Sequence, residues 1–252
     1  MRAASRLADV SIVTVSKLLV DIGQAAAQYQ DQIIHNVQSK RVQVDETWAF
    51  CYSKAKNIPE RMKGQKGVGD VWTWVALDAD TKLVVTWLVG SRDLTDATRF
   101  MKDLKSRVAG RIQLTSDGHA AYPDAVERAF GDDVDFAQLV KIYGNAPEER
   151  RYSPPECIGA RQTVVNGNPE NKHISTSYVE RQNLTMRMSM RRFTRLSNGF
   201  SKKIENHAHA IALYFLHYNF ARVHQTLRVT PAMESGLAAT VWTHRDIAAL
   251  LD

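Results

Sequence analysis

The sequence predicts an α/β fold in which helices flank a mixed β-sheet, with a short helical segment ahead of it. Between residues 41 and 142, short runs rich in apolar, β-branched and aromatic residues are separated by turn signals. Three such runs precede the first helix of this region, and strands and helices alternate after it. That order predicts a sheet that contains both antiparallel and parallel strand pairs.

Composition limits the class of protein. The chain has 252 residues, of which 44% are hydrophobic and 24% charged, enough for one substantial core and a small accessory segment. A net charge of +6 suits a polyanionic partner without proving one. Cys51 and Cys157 form no CxxC pair, which excludes a zinc site built on paired cysteines. No membrane span or signal peptide is evident, so we expect a cytoplasmic protein without a membrane partner.

The N-terminal residues predict two short helices around a tight turn over residues 2–22, with Ser11 as the N-cap of the second helix. This is the pattern of the last two helices of a helix-turn-helix, in which Lys17 would face DNA. An ordinary helical hairpin is the alternative. The apolar residues expected to pack between the two helices are Ala3, Ala4, Leu7, Val13, Val15 and Leu18 or Leu19. Residues 23–40 predict a helical connector.

The remaining elements follow from periodicity and turn signals. Strands are predicted at 41–50, 70–78, 82–90, 111–116 and 135–142, with helices at about 94–109 and 122–130. Residues 144–172 contain four of the seven prolines and predict an irregular insertion, and helices follow from Ser177 to about Arg192 and from Ser201 to Ala221.

This order of elements is that of the ribonuclease H-like fold. Such a sheet brings its first strand, its fourth strand and its last helix together at one edge. Asp45, Asp117 and Glu180 lie on those three elements. Three hard oxygen ligands suit a pair of Mg²⁺ ions, with Mn²⁺ as a substitute, and two such ions can drive in-line phosphoryl transfer.

Two neighbours of these carboxylates allow more than one interpretation. Strand alternation places Asp45 on the more polar face and directs Glu46 to the opposite face. For Glu46 a structural ion pair or hydrogen bond is therefore favoured over metal binding. His119 follows Asp117 closely and could either contact substrate or cap the next segment.

The helix that carries Glu180 is strongly basic. Between Arg181 and Ile204 the sequence has seven Lys or Arg residues and no acid. Helical spacing places Glu180 and Asn183 on one face with Arg187 and Arg191. We expect Arg187, Arg191 and Arg192 to contact DNA phosphates. The alternative is a solvated helix with i,i+4 charge pairing, but the segment offers its arginines no acidic partner.

Four motifs together resemble the DDE transposases of bacterial insertion sequences, specifically the insertion-sequence-one-type group. They are VDETW, TSDGHAAY, SYVERQNLTMRMSMRRFTR and YNFARVHQTLRVTPAM, and the resemblance covers about residues 41–236. It implies that Asp45, Asp117 and Glu180 are the catalytic, metal-binding triad. Members of the group often carry a Cys zinc finger and a complete helix-turn-helix, which this sequence lacks, so a truncated copy or a late-start reading frame is expected.

The predicted function is metal-dependent cleavage at transposon ends followed by strand transfer into target DNA. The expected partners are double-stranded DNA and further copies of the chain assembled on it. Residues 1–40 would form the partial helix-turn-helix and connector, 41–221 the catalytic domain with an insertion at about 144–176, and 222–252 a C-terminal helical tail. The alternatives are a ribonuclease H-like nuclease without strand transfer and a non-catalytic, transposase-derived DNA-binding protein.

Overall fold

A six-stranded mixed sheet forms the centre of the molecule in the computed structural model, which describes residues 1–144, 157–193 and 198–252. The strands are β1 (Arg41–Cys51), β2 (Gly69–Asp78), β3 (Val84–Gly90), β4 (Ile112–Ser116), β5 (Val134–Tyr143) and β6 (Cys157–Asn166). Their order is β3-β2-β1-β4-β5-β6. The β1–β2, β2–β3 and β5–β6 pairs are antiparallel, whereas β1–β4 and β4–β5 are parallel. The predicted fold class is therefore confirmed.

Eight α-helices are assigned within these ranges. They are α1 (Arg2–Ala8), α2 (Ile12–Ile33), α3 (Leu94–Arg107), α4 (Ala121–Phe130), α5 (Ser177–Ser189), α6 (Ile204–Leu216), α7 (Pro231–Glu234) and α8 (His244–Ala248). Asp93 caps α3 by accepting a hydrogen bond from the backbone N–H of Asp96 at 3.0 Å. Helix α5 ends at Ser189, two residues before Arg191.

Alternation along β1 and β2 divides the core between the two faces of the sheet. Val42 and Val44 of β1 and Trp74 of β2 face α3 and α4, together with parts of α2 and α6. Ala49 and Val75 face α5 and α6. Adjacent residues of β1 point to opposite faces of the sheet. One of these faces is covered by α5, and the other by α3 and α4.

The N-terminal helices differ from the predicted pair. The Ser11 N-cap is confirmed, since its hydroxyl accepts from the backbone N–H of Thr14 at 3.0 Å. The second helix, however, is a single helix of 22 residues that includes most of the predicted connector. The expected apolar contact between α1 and α2 is wrong, because Leu7 is 89% exposed and Val13 73% exposed. The axes of the two helices instead bend apart by 108°.

Helix α2 is anchored farther along, where its second half packs against α6. Ile22, Gly23 and Ala26 are buried there, and Gln30 donates hydrogen bonds to the carbonyls of Ala26 and Ala212. In the described part of the chain no single helix is long and apolar enough to cross a membrane. Only α1 and α2 taken together, despite their bend, meet that test.

The proline-rich insertion is not irregular throughout. Its residues 157–166 form β6, which extends the sheet at the β5 edge and is mostly exposed. Residues 145–156 lie outside the described residues, as do 194–197 of the basic segment. The prediction missed β6 because an exposed edge strand needs no alternation of apolar residues. Its place in the sheet depends on backbone pairing with β5, which leaves no pattern in the sequence.

Candidate active site and metal centre

Asp45 lies in the middle of β1 and faces α5. Its carboxylate accepts a hydrogen bond from Asn183 Nδ2 at 2.8 Å. Burial, followed by the negative charge of Glu46, raises the pKa of Asp45 to about 7, whereas the hydrogen bond from Asn183 acts in the opposite direction. This carboxyl group is poorly solvated, and no basic side chain among the described residues pairs with it, which are conditions that favour a bound cation.

Asp117 follows the last residue of β4, where the strand gives way to a turn. Its Oδ1 accepts the backbone N–H of His119 at 3.0 Å, and its carbonyl accepts from Gln138 of β5 at 2.9 Å. Gly118 is required by close packing, because a Cβ there would lie 2.8 Å from the side chain of Val140. The Asp-Gly pair thus lets the turn lie close against β5, with the Asp117 carboxylate at the sheet edge.

Glu46 joins the two aspartates more closely than strand alternation predicts. One carboxylate oxygen from each of Asp45, Glu46 and Asp117 lies within 4.8 Å of the others. The predicted ion pair of Glu46 is nevertheless present, since it accepts hydrogen bonds from Arg92 Nε at 2.7 Å and Tyr122 Oη at 2.8 Å. Burial and the negative charge of Asp117 raise the pKa of Glu46, whereas the hydrogen bonds from Tyr122 and Arg92 act to lower it. The favoured interpretation of Glu46, a structural ion pair and hydrogen bond, is thus confirmed, and its carboxylate also lies close to those of Asp45 and Asp117.

Helix α5 is fixed to β1 at its N-terminal end. The Oε1 atom of the buried Gln43 accepts the backbone N–H groups of Tyr178 at 2.9 Å and Val179 at 3.1 Å, two of the donors that the first turn leaves without helical partners. Since Gln43 lies two residues before Asp45, this contact sets the distance from Glu180 to the β1 carboxylate.

Glu180 is held by partners of its own. Thr176 Oγ1 donates to its Oε1 at 2.6 Å, and the Lys141 ammonium of β5 pairs with its Oε2. Burial acts to lower the pKa of Lys141, but the hydrogen bond and charge of Glu180 outweigh it, so that the pKa is raised. The carboxylate is thus already oriented towards a cation, and the ammonium of Lys141 fills that role.

These carboxylates line one open cleft of about 610 Å³, with Asp45, Asp117 and Glu180 in its wall. His119 lies beside them, stacked on Trp74 with ring centroids 5.7 Å apart. Burial, with the positive charge of Arg92, lowers the pKa of His119. Its Nε2 is buried and has no hydrogen-bond partner among the described residues. The cleft therefore combines three acidic side chains with the imidazole of His119 and the basic side chains of Arg92 and Lys141.

The predicted DNA-contacting residues fall into two groups. Arg187, Arg191 and Lys17 are exposed, and none of the three side chains forms an ion pair within residues 1–144, 157–193 and 198–252. Arg192 points inward instead and donates to Ser201 Oγ at 2.9 Å, and burial lowers its pKa. Its guanidinium is therefore already engaged in packing α5 against the segment before α6.

Several side chains of the cleft have no signal in the sequence. Lys141 lies on a strand where nothing distinguishes it from other surface lysines, and Arg92 precedes a helix cap. Tyr122 occupies an apolar position of α4, so that periodicity predicts only burial. Asn183 could be found, because it follows Glu180 by three residues on the helix.

Comparison with known proteins shows little beyond the fold. No protein-family description matches the chain, and no curated protein matches it. Among solved structures, a piggyBac transposase in a synaptic complex with hairpin DNA aligns with 85% of this chain and 52% of its own, at 11% sequence identity and a TM-score of 0.33. The chain thus spans about half the length of that transposase. A likeness this distant carries no argument about activity.

Proposed function

We propose that this chain catalyses metal-dependent phosphoryl transfer on DNA as a DDE transposase of a bacterial insertion sequence. The observation that carries the proposal is the convergence of Asp45, Glu46 and Asp117 within 4.8 Å, at the edge of a cleft that Asp45, Asp117 and Glu180 line. Burial raises the pKa of Asp45, and the negative charges of Glu46 and Asp117 raise it further, so that a bound cation would stabilise the ionised carboxylate.

The donor set fits hard divalent cations. All four carboxylates offer oxygen, and the buried Oδ1 of Asn183 has no partner among the described residues. Asp45, Asp117 and Glu180 would hold two such ions. Bound Mg²⁺, or Mn²⁺ in its place, supplies Lewis-acid stabilisation of the charge that develops on phosphoryl and hydroxyl oxygens. Lys141 would then leave Glu180 and become available to a DNA phosphate.

The surrounding residues hold the carboxylates in place. Tyr122 and Arg92 restrain Glu46, and Asn183 restrains Asp45, so that two neighbouring acids of β1 keep separate orientations. No protein nucleophile is required, because water and then a DNA 3′-OH can attack phosphorus in line at the same site. Arg187 and Arg191 would bind phosphates of the same DNA, which is expected to hold a homo-oligomer together at paired transposon ends.

A plasmid that carries the reading frame with its native flanking DNA tests this function. In Mg²⁺, the purified protein should release 3′-OH ends at the element boundaries and join them to a labelled target duplex, and chelation should abolish both steps. Nicks without joined product would indicate a nuclease instead. Binding without either product would indicate a non-catalytic DNA-binding protein.

A further inference from the structure

A second concave site lies on the other side of α5 from the carboxylate cleft. It has a volume of about 340 Å³ and is enclosed by the β2–β3 turn, α5 and residues 218–226. Four basic side chains line it, and we call it the basic pocket: Lys82, Arg181, Arg222 and His224. None of the described residues that line it is acidic, and its other polar groups are amides and hydroxyls of Gln, Thr and Tyr residues.

The two guanidiniums of the basic pocket lack partners. In the part of the chain that the structure describes, neither Arg181 nor Arg222 forms an ion pair or a side-chain hydrogen bond, and both are exposed. Some other arginines of the chain are paired with carboxylates, as in Arg41 with Asp80 and Arg111 with Asp135. Like charges gathered without a counterion repel one another, so an anion bound between them would remove an unfavourable interaction.

The pocket walls are held in place without a ligand. The Lys82 ammonium lies 3.6 Å from the centroid of the Tyr178 ring and donates to the carbonyl of Ala79. Tyr218 Oη donates to the carbonyl of Lys82 at 3.1 Å, which joins the β2–β3 turn to the segment after α6. Preorganised donors lose little entropy when an anion binds.

Local electrostatics agree with an anion site. Burial, and then the charges of Lys82 and Arg222, lower the pKa of His224. The negative charges of Asp80 and Asp78 act on Lys82 from outside the pocket lining, and Asp80 is also paired with Arg41.

The position of the pocket relates it to the cleft. Tyr178, Arg181 and Thr185 share one side of α5 through i+3 and i+4 spacing, whereas Glu180 and Arg187 share another. A helix is about 10–12 Å across with its side chains, which corresponds to roughly three steps of 3.4 Å along one DNA strand. A strand that enters the cleft can therefore cross α5 and reach the pocket within a few nucleotides.

We propose that the basic pocket binds a backbone phosphate of the DNA strand that lies in the carboxylate cleft, a few nucleotides from the reacting bond. Guanidinium, ammonium and imidazole donors recognise phosphate oxygens whatever the base, so the contact is independent of sequence. The proposal rests on the proposed function, in which DNA is the substrate. The pocket would provide a second phosphate contact, which positions the strand so that the reacting phosphate lies in the cleft.

Binding to a labelled duplex of random sequence, titrated with salt, tests the pocket. The variant carries R181Q and R222Q together. Its control is Arg128→Gln on α4, an exposed arginine on the opposite face of the sheet. The double variant should bind more weakly on every sequence, and the slope of log K against log salt should become shallower by about 0.9 for each lost phosphate contact. The control should match the wild type. Because both arginines are exposed, the thermal midpoint of the double variant should be unchanged.

The proposal that the basic pocket binds phosphate would be overturned if the double variant showed the wild-type slope of log K against log salt. It would also be overturned if the wild-type protein did not bind the duplex. Metal-dependent nicking by the same proteins separates this outcome from the proposed catalytic function. Nicking with an unchanged slope overturns the pocket alone. A shallower slope in the double variant, from a wild-type protein that never nicks DNA, supports the pocket and overturns the proposed catalysis.

Discussion

The buried carboxyl group of Asp45 lowers the stability of the metal-free protein when it is ionised. Its folded-state pKa of about 7 lies above the ordinary value of 3.8, so the folded chain binds a proton that the unfolded chain has released. Stability without metal is therefore greatest below about pH 4 as far as this group is concerned, and it is lost as the pH rises towards 7.

Replacing Asp45 with Asn removes that dependence and keeps the shape of the side chain. In metal-free buffer at pH 8 we expect Asp45→Asn to be more stable than the wild type. The difference in the free energy of unfolding between the variant and the wild type should be smaller by about 1–2 kcal/mol at pH 5, where the wild-type carboxyl group is protonated. Denaturant unfolding at the two pH values measures it, with the exposed Asp124→Asn as control. An equal difference at both pH values would show that Asp45 does not titrate as described.

Lys141 occupies the place at Glu180 that a cation would take. A Lys141→Met variant should bind Mn²⁺ more tightly, by roughly tenfold, because a unit positive charge a few ångströms from the ion is worth more than about 1 kcal/mol. Isothermal titration with Mn²⁺ measures the effect. The exposed Lys102→Met on α3 is the control and should leave the affinity unchanged. Equal affinities for all three proteins would separate Lys141 from the metal site.

At the scale of elements, α2 belongs to the core more than its sequence suggests. A Cβ on Gly23 would lie 2.5 Å from the Cβ of His209 and 2.6 Å from its carbonyl oxygen. Glycine to alanine in a helix interior ordinarily stabilises by up to about 1 kcal/mol. Here Gly23→Ala should instead destabilise by about 1–3 kcal/mol, because α2 and α6 must separate.

Thermal unfolding checks this, with Gln24→Ala on the exposed face of the same helix as control. If Gly23→Ala were as stable as the control, the close packing of α2 on α6 would be wrong. The same packing determines how much of the N-terminal segment can be removed without loss of core residues. A deletion that reached residue 30 would remove buried Ile22 and Ala26 and damage the core, whereas removing α1 alone takes away no buried residue.

Most of the sheet could be predicted because its strands alternate between two covered faces. Runs such as 70–78 contain Trp74 and Val75 on opposite faces, each buried. The sequence does not predict where α1 points, because Leu7 and Val13 follow an amphipathic pattern but are not covered by any part of the chain that the structure describes. It also misses β6, which has no buried face to impose a pattern.

For the whole molecule, the site follows from topology more than from local sequence. Asp45 and Asp117 could be predicted together because β1 and β4 are parallel neighbours, and Glu180 because the last helix returns to that edge. The partners Lys141, Thr176, Arg92 and Tyr122 could not, since each depends on a side-chain contact across elements far apart in sequence. The carboxylates are thus predictable, and the groups that tune them are not.

The central claim is that the carboxylates of the cleft act as one metal-binding unit in DNA strand transfer. Joining of labelled element ends to a target duplex in Mg²⁺, by purified Asp117→Asn beside the wild type, tests it most directly. Asn keeps the hydrogen bond from the backbone of His119 but removes an anionic ligand. Joining should fall by roughly a thousandfold or more while DNA binding is retained, and adding Asp45→Asn should cost little further, as expected of groups that work together. Wild-type levels of joining by Asp117→Asn would contradict the assigned site and the proposed function.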